Sequence, residues 1–337
     1  MTVRAYAASA PKSPLAPFAY DLGPLGSEDV EIAVEHCGIC HSDLSMIDNE
    51  WQRTQYPLVA GHEVVGTVRA AGPGVKRVAV GDRVGVGWYV GSCLACRACT
   101  AGDLHLCADG RQTIVGRHGG FSEAVRCHWS WALPLPAGLD PAHAGPLFCG
   151  GITVFTPIAE LGVKPTDRVG VVGLGGLGHL ALQFLHHWGC EVFAFSSNPA
   201  KGAEANALGA HHVVGTHDKA ALKALRGTLD FILVTANVTL DWPLYLAALA
   251  PRGRLHVVGA VLDPIPVQAF ALIGGQKALS GSPVGSPATT LTMLDFCVRH
   301  GIAPRVERYP MSRINDALAH LRAGKARYRI VLDNDFR

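Results

Sequence analysis

The chain has 337 residues, of which 49% are hydrophobic and 17% charged, and 29 Lys and Arg against 27 Asp and Glu give a formal net charge of +2 at pH 7. This composition excludes a disordered chain. The charge is nearly balanced and there is no long basic run. A protein that binds nucleic acid or a membrane surface through a basic patch is therefore excluded. We expect two folded domains and a small-molecule partner.

The N-terminal stretch MTVRAYAASAPKSPLAPF is interrupted by charge and proline before any apolar run could serve as a signal peptide. No run approaches the ~20 apolar residues that span a bilayer. The sequence therefore predicts a cytoplasmic protein, and its ten cysteines are expected to be thiols or metal ligands rather than disulfides.

Residues 1–149 alternate short valine-rich runs with Gly and Pro turns, as in EVVGTVRAAGPGV, which predicts short antiparallel strands. From about residue 165, buried-strand runs such as DRVGVVGL and LDFILVTA alternate with helix-like segments such as HLALQFLHHWG, which predicts a parallel sheet wound with helices. Two more helices and a last strand, RYRIVL, follow residue 282. We expect one domain of residues 1–149 with 282–337 and another of 150–281.

The first motif is CGICHSDLSMIDNEW, residues 37–51, in which Cys37 and Cys40 stand three positions apart. Such a pair has three alternative roles: it forms a redox-active disulfide, it binds a metal ion, or it belongs to a catalytic site. The redox interpretation is disfavoured because the βαβ context of such motifs is missing here.

A four-cysteine loop, CLACRACTAGDLHLC, places cysteines at separations of three, three and eight. Closely spaced thiols on a turning loop can surround one metal ion tetrahedrally and leave no coordination position open, so this loop predicts a structural zinc site. A zinc ribbon for nucleic acid is the alternative, and the lack of interleaved basic and aromatic residues disfavours it. The four residues are Cys93, Cys96, Cys99 and Cys107.

A second set of metal ligands is scattered along the chain: His62 and Glu63 in GHEVVG, and Cys149 in PLFCGGITVF. Catalytic zinc usually takes three protein ligands and keeps a fourth position for water or substrate. Cys40, His62 and Cys149 make such a set. Taken singly, the histidine is equally a hydrogen-bonded structural residue and the cysteine a small buried one.

The sequence VGVVGLGGLGHLALQF places Gly173, Gly175 and Gly178 as GxGxxG between a predicted strand and helix, the pattern of a dinucleotide-binding turn. Where NAD-binding chains carry an acidic residue, this chain has FSSNPAK. Ser196 and Ser197 can donate to a 2′-phosphate and Lys201 adds positive charge. We therefore predict NADP(H) rather than NAD(H), although serine there also caps helices.

The motifs CGICHSD, GHEVVG, the four-cysteine loop, CGGIT and GLGGLG occur in this order, and over nearly the whole chain they resemble the zinc-dependent medium-chain alcohol dehydrogenases. CHSDLSMIDNEW, AFSSNPAK, VGAVL and KARYR resemble the cinnamyl-alcohol-dehydrogenase-like group, especially its bacterial broad-range NADPH-dependent aldehyde reductases. The resemblance implies an α/β protein with a GroES-like β-rich catalytic domain and a Rossmann domain. It also implies one catalytic and one structural zinc, NADP(H), aldehyde reduction and a homodimer.

The resemblance also implies roles for single residues. Cys40 rather than Cys37 is the zinc ligand, Glu63 is an alternate ligand, and Asp43 accepts a hydrogen bond from His62. Ser42, next to Cys40, is placed to give the product alkoxide its proton; the alternative is a serine that caps a helix. Further cofactor contacts are implied at His41, Thr153, Gly176, Leu177, Ser282 and Arg329.

The sequence departs from many relatives three residues after Ser42, where Ser45 replaces the histidine that ends their proton relay at solvent. The alternative groups for the transfer of the proton to solvent are Asp48, His41 and water.

An apolar substrate pocket is expected from Ile47, Trp51 and Trp88, each of which is equally a candidate for core packing. Two rival functions stay open: an NAD-dependent secondary-alcohol or polyol dehydrogenase, and a zinc-binding or storage protein without turnover.

Overall fold

The computed structural model describes residues 2–336, and the chain divides into two compact units. The first unit comprises Met1–Ile152 and Gly285–Arg337, and the second comprises Thr153–Val284. The predicted pairing of a β-rich domain with a parallel-sheet α/β domain is confirmed. Among the described residues, no helix combines the length and apolar character needed to cross a membrane.

The first unit is built on a seven-stranded sheet. All of its strand pairs are antiparallel except the pair formed by the two strands that come last in the sequence. Its elements are β1 Thr2–Ala7, β2 Ala16–Asp21, β3 Asp29–Ile39, α1 His41–Ile47, β4 Glu63–Ala71, β5 Arg83–Val86, β6 Tyr89–Gly91, α2 Arg97–Thr100, β7 Arg111–Gln112, β8 Ala124–His128, β9 Leu133–Pro134 and α3 Pro141–Ala144. After the second unit come α10 Pro287–His300, β16 Val306–Pro310, α11 Ile314–Arg322 and β17 Arg329–Asp333.

The strand order in this sheet is β16-β17-β3-β4-β5-β9, with β8 also paired to β3. The last strand, β17, runs antiparallel to β3, with Ile330 opposite Ile39. The C-terminal segment is therefore an integral part of the sheet that carries the first cysteine motif. Alternate residues of β3 and β4, such as Val30, Ile32 and Val68, are fully buried in the core on this sheet.

The second unit is a six-stranded parallel sheet flanked by helices. Its elements are α4 Gly150–Glu160, β10 Arg168–Val172, α5 Gly178–Trp188, β11 Glu191–Ser196, α6 Gly202–Ala207, β12 His212–Gly215, α7 Lys219–Ala224, β13 Leu229–Val234, α8 Trp242–Ala248, β14 Leu249–Val257, α9 Ala269–Ile273 and β15 Ala278–Gly281. The strand order β12-β11-β10-β13-β14-β15 is the order of a doubly wound dinucleotide-binding fold, whose crevice lies between the first and fourth strands.

Helix boundaries follow from local chemistry. Helix α10, the first of the two helices expected after residue 282, begins at Pro287, because Ser286 accepts a hydrogen bond from the Thr289 N–H and Pro287 occupies the first turn. It ends at His300, because the next residue, Gly301, has a left-handed φ of 64°.

Candidate active site

The candidate metal site is assembled where two strands and a 3₁₀ turn of the first unit meet. Strand β3 ends just before Cys40, and its antiparallel register places Gly38 opposite Glu63, the first residue of β4. Cys149 follows a 3₁₀ turn, Gly145–Phe148. This turn packs so closely on β4 that a Cβ at Gly145 would lie 2.6 Å from the carbonyl oxygen of Glu63.

The four side chains meet in a buried cluster. Sγ of Cys149 lies 3.9 Å from Sγ of Cys40 and 3.2 Å from Nε2 of His62. The ligand atoms of these three residues and Glu63 all lie within 4.8 Å of one another. Two sulfurs on one tetrahedral zinc ion stand about 3.8 Å apart, so the donor set fits a single zinc ion.

Asp43 holds this cluster in place from the first turn of α1. Its carboxylate is fully buried and accepts three hydrogen bonds, from the Cys40 N–H at 2.9 Å, the Gly61 N–H at 2.8 Å and Nδ1 of His62 at 2.9 Å. The bond to Nδ1 leaves Nε2 of His62 directed at the sulfurs, as a zinc-ligating imidazole requires. Gly61 adopts a φ of +95°, and a Cβ there would clash with Phe121.

Arg329 is buried beside the ligands, where it forms an ion pair with Glu63. The resemblance implied a cofactor contact for this arginine, which stays a prediction; the pairing of β17 with β3 buries its guanidinium beside the metal ligands. Oε2 of Glu63 and Nε of Arg329 are buried without a hydrogen-bond partner among the described residues. An unpaired carboxylate oxygen in a metal-ligand set is a second observation that fits a cation here.

The buried cluster shifts the pKa values of its side chains in different directions: it favours the thiolate of Cys40, whereas the neighbouring Cys40 and burial raise the pKa of Cys149 well above its usual value. The hydrogen bond from Cys149, with the charges of Arg329 and His62, holds the pKa of the Cys40 thiol well below its usual value. Burial lowers the pKa of His62, but the charge and hydrogen bond of Asp43 outweigh it and raise that pKa well above the usual range. Thiolate is the form of cysteine that binds metals, and Arg329 offsets its negative charge.

The four-cysteine loop gathers its sulfurs around a second point. Sγ of Cys93 lies 3.9 Å from that of Cys99, and Sγ of Cys96 lies 4.0 Å from that of Cys107. The N–H groups of Cys93 and Cys96 point at sulfurs of the loop, at 3.4 and 3.3 Å. Backbone N–H groups from Ala95 and Cys96 lower the pKa of Cys93 to about 6. The sulfur separations fit one closed tetrahedral zinc site.

The tryptophans expected in the pocket border the ligands. The ring of Trp88 stands edge-on to His62 at 4.9 Å between centroids, and Trp51 packs on Trp88 at 6.0 Å. Both are partly exposed. Ile47, by contrast, is 1% exposed and belongs to the hydrophobic core, so it has no surface to offer a ligand and the core-packing alternative describes it.

The residues of the expected proton path lie along α1. Ser42 is half-buried, with its Oγ 3.8 Å from Sγ of Cys40, and His41 is exposed. Ser45 donates to Oε2 of Glu50 at 2.7 Å, a contact that sequence analysis missed. Asp48 is held by Arg322 through both carboxylate oxygens, at 2.5 and 2.6 Å.

The glycine-rich turn of the second unit joins β10 to α5. Gly173 has a φ of +101°, which only glycine adopts readily. A Cβ on Gly178 would collide with the carbonyl oxygen of Gly173, whereas a Cβ on Gly175 would meet no described atom within 4 Å. The turn therefore leaves no room for a side chain at Gly178, whereas the space beside Gly175 is open. This open space fits the close approach of a pyrophosphate to the start of α5. Gly176 and Leu177 complete this turn.

Strand β11 ends beside this turn. Lys201 donates from Nζ to the carbonyl oxygen of Leu174 at 2.8 Å, which brings its charge to the glycine-rich turn. Ser196 is buried and bonds Asn198, as a capping serine does, while Ser197 is exposed. No carboxylate stands at positions 196–198.

Two further predicted cofactor residues belong to the second unit. Thr153 is buried on α4, which begins directly after Cys149. Ser282 follows β15 and shares a hydrogen bond of 2.9 Å with Nε2 of His256, whose Nδ1 contacts Ser280 at 2.9 Å. Sequence analysis missed this buried histidine because nothing in RLHVVGA distinguishes it from a strand residue.

Comparison with known proteins matches both units. Residues 26–137 match the alcohol dehydrogenase GroES-like domain, and residues 176–299 match the zinc-binding dehydrogenase domain. The chain is 54% identical to the aldehyde reductase AdhA of Synechocystis sp., across 98% of this chain and 99% of that protein. It is 42% identical to a probable cinnamyl alcohol dehydrogenase of Oryza sativa subsp. japonica, across 95% and 91%.

Solved structures agree with these matches. A cinnamyl alcohol dehydrogenase of Sorghum bicolor superposes with a TM-score of 0.95 at 39% identity, across 99% of this chain and 98% of that one. The Helicobacter pylori enzyme, complexed with NADP(H), superposes with a TM-score of 0.91 at 30% identity, across the same shares. With its ligand sets and its glycine-rich turn, the chain belongs to the zinc-dependent medium-chain alcohol dehydrogenases, in the cinnamyl-alcohol-dehydrogenase-like group.

Proposed function

We propose that this chain reduces aldehydes to primary alcohols with NADPH, reversibly and over a broad range of aliphatic and aromatic aldehydes, with one catalytic and one structural zinc ion. The observation that carries the proposal is the buried set of Cys40, His62, Glu63 and Cys149, supported by Asp43. A storage site would not need the adjacent half-buried hydroxyl of Ser42. The aldehyde reductase AdhA, at 54% identity, supports the direction of the reaction.

Cys40, His62 and Cys149 would hold a zinc ion, which would supply a Lewis acid for the substrate oxygen. The side chains around it orient and protonate the substrate. Asp43 fixes the His62 ring, and Ser42, next to Cys40 on α1, donates its hydroxyl proton to the substrate oxygen as hydride arrives. Arg329 and Glu63 keep the buried charge of the site balanced.

The residues just after the end of β11 support a preference for NADPH over NADH. Lys201 lies at the glycine-rich turn and Ser197 is exposed beside it. An aspartate at this point would repel a 2′-phosphate, whereas serine hydroxyls and an ammonium group attract it. The Helicobacter pylori relative complexed with NADP(H) supports the same choice over NAD(H).

A broad substrate range follows from the walls of the pocket. Trp51 and Trp88 offer apolar surface next to His62. Methylene differences in such pockets are worth only ~1 to 3 kcal/mol each, so aliphatic and aromatic aldehydes are discriminated weakly.

We also propose that the chain forms a homodimer through the second unit. Strand β15 is the last strand of the parallel sheet, so its outer edge is unpaired within the described chain. The three most exposed of the large apolar side chains described in this unit are Leu262, Phe270 and Ile273. An open sheet edge and exposed apolar side chains on the same unit both favour association with a second copy of this chain.

The proposal is tested by removing the metal. Purified protein is treated with a chelator, assayed with NADPH and a medium-chain aldehyde, and then reloaded with zinc, with the primary alcohol identified by NMR. We expect the chelator to abolish turnover and zinc reloading to restore it. The restoration should follow the refilling of one of the two zinc sites in each chain. Zinc-loaded protein that turns over no aldehyde would instead support the storage function.

A further inference from the structure

His256 lies one residue before the carboxyl end of β14, in the parallel sheet of the second unit. The ends of neighbouring strands are in register there: Val172 of β10 stands opposite Val234 of β13, Val234 opposite Val257 of β14, and Val257 opposite Gly281 of β15. Ligands of open parallel sheets bind outside the carboxyl ends of the strands. His256 is therefore placed next to the edge at which a dinucleotide binds.

The proposed function decides which half of the cofactor reaches this part of the edge. Ser197 and Lys201, which support binding of the 2′-phosphate, follow β11 on one side of β10. The pyrophosphate belongs at the glycine-rich turn after β10. The nicotinamide half then extends to the other side, over the ends of β13, β14 and β15. The role of His256 rests on this feature of the proposed function.

The ring of His256 joins two serines of the next strand. Ser280 stands directly opposite His256 in the register of β14 and β15, and Ser282, two residues further on, lies diagonally across from it. Nδ1 of His256 lies 2.9 Å from Oγ of Ser280, and Nε2 lies 2.9 Å from Oγ of Ser282. On the other side the ring stacks on Phe231 of β13, at 6.1 Å between centroids. Both neighbouring strands therefore hold the imidazole in place.

The protonation state of His256 makes this link directional. Burial, and to a lesser extent the charge of Arg254, lowers its pKa to about 4, so the ring is neutral at pH 7. A neutral imidazole has one N–H donor and one acceptor nitrogen. One serine hydroxyl therefore accepts a hydrogen bond from the ring, while the other donates one to it.

Ser282 is the residue that this link holds on the ligand side of the sheet. The ladder between β14 and β15 ends with Gly281 opposite Val257, and Ser282 is the first residue beyond it. Ser282 is half-buried, so part of its surface stays open. The hydrogen bond to His256, which is 1% exposed, thus ties a residue at the binding edge to the interior of the sheet.

We infer that His256 is a positioning residue for the nicotinamide half of the cofactor, acting through the hydroxyl of Ser282. The ring holds Ser282 at one place beyond β15, so this segment is ordered before the cofactor binds. A segment that is already ordered loses less conformational entropy on binding. Removing the link should therefore weaken the binding of the nicotinamide half and leave the binding of the other half unchanged.

The main test compares the dissociation constants of two ligands of the zinc-loaded protein, measured by calorimetry. The ligands are NADPH and adenosine 2′,5′-bisphosphate, which carries only the 2′-phosphate half. In H256N the amide occupies the place of Nδ1 and does not reach Ser282. We expect H256N to bind NADPH about 10-fold more weakly than wild type and to bind the bisphosphate equally well.

Two further variants serve as controls. In H256Q the amide reaches the place of Nε2 and can donate to or accept from Ser282, so its affinity for NADPH should stay within about twofold of that of wild type. H187N alters an exposed histidine in the last turn of α5, at the end opposite the glycine-rich turn. It should bind both ligands as wild type does.

The outcomes separate this role from the proposed function. A wild-type protein without affinity for NADPH would refute the proposed cofactor and the role of His256 with it. A wild type that binds NADPH, with an equal affinity in H256N, would overturn the role of His256 alone. Equal weakening of both ligands in H256N would show that the histidine only supports the fold of the second unit, which also overturns the inference.

S282A tests the same link without changing the buried histidine. It should show the selective loss of NADPH affinity, and H256N/S282A should bind NADPH no more weakly than the weaker of the two single variants, because both changes remove one link. If the two losses multiply, His256 does not act through Ser282. An affinity for NADPH in S282A equal to that of wild type would likewise overturn the inference.

Discussion

At the scale of single residues, Asp43 organises the metal site. Its two oxygens accept from the backbone of Cys40, the backbone of Gly61 and the ring of His62. One carboxylate thus fixes two ligands and the turn between them. The resemblance predicted the bond to His62, whereas the two backbone contacts depend on the left-handed turn at Gly61 and are visible only in the folded chain.

Replacing Asp43 should weaken the catalytic zinc site selectively. In D43N an amide NH₂ replaces one acceptor oxygen and faces N–H donors, so His62 is no longer held in one tautomer. We expect a 10- to 100-fold lower affinity for that zinc ion, measured by competition with a chelator. The four-cysteine site serves as an internal control, and D48N as a matched variant. Equal zinc retention by D43N and wild type would remove Asp43 from this role.

Replacing Ser42 should slow the reaction while leaving the metal in place. S42A deletes the hydroxyl that protonates the substrate oxygen, a loss worth roughly 10²–10⁴ in rate. We expect this drop in kcat for aldehyde reduction at unchanged zinc content, measured beside S27A, which alters an exposed serine of the first unit. A rate for S42A close to that of wild type would show that another donor supplies the proton.

Other residue contacts lay beyond sequence analysis for a physical reason. Glu63 and Arg329 are 266 positions apart, and Asp48 and Arg322 are 274 apart. Each pair forms because C-terminal elements pack against the sheet and helix of the first cysteine motif. Charge pairing over such separations leaves no periodicity or spacing in the sequence.

At the scale of elements, local patterns predicted most of the structure. The runs DRVGVVGL, CEVFAFSS and LDFILVTA form β10, β11 and β13, because buried parallel strands need continuous apolar segments, whereas HHVVG forms the exposed edge strand β12. The order of strands in the first unit was not predictable in this way. Strand β17 reaches β3 through tertiary packing, and its own sequence does not specify a partner.

The four-cysteine loop should act as a structural element whose stability depends on its metal. C99S removes a buried ligand and leaves three thiols, so we expect loss of one zinc ion per chain and a fall in Tm of roughly 5–10 °C. The catalytic zinc should be retained. C127S changes a buried cysteine outside both clusters and should keep both zinc ions. Full zinc content in C99S would show that the loop is not a metal site.

At the scale of the whole molecule, stability should depend on pH through His256. This residue is 1% exposed and lies between Ser280 and Ser282. Burial, and to a lesser extent the charge of Arg254, lowers its pKa to about 4, whereas an unfolded histidine titrates near 6.5. Between these values the unfolded chain binds a proton that the folded chain does not, so stability falls as pH falls.

The predicted size of this effect is about 3 kcal/mol between pH 6.5 and pH 4, and there is no further change above that window. H256N cannot titrate, so the wild-type free energy of unfolding should fall more steeply with acid than that of H256N. H217N, which alters an exposed histidine of the same unit, should keep the wild-type slope. Parallel curves for wild type and H256N would contradict the assignment.

The central claim, a zinc-dependent NADPH aldehyde reductase, is tested most directly by one pair of initial rates. Oxidation of NADPH and, separately, of NADH is measured with a medium-chain aldehyde, with a chelator-treated sample as control. We expect fast turnover with NADPH, much slower turnover with NADH, and loss of both when zinc is removed. Turnover with NADH alone, or turnover that survives removal of zinc, would contradict it.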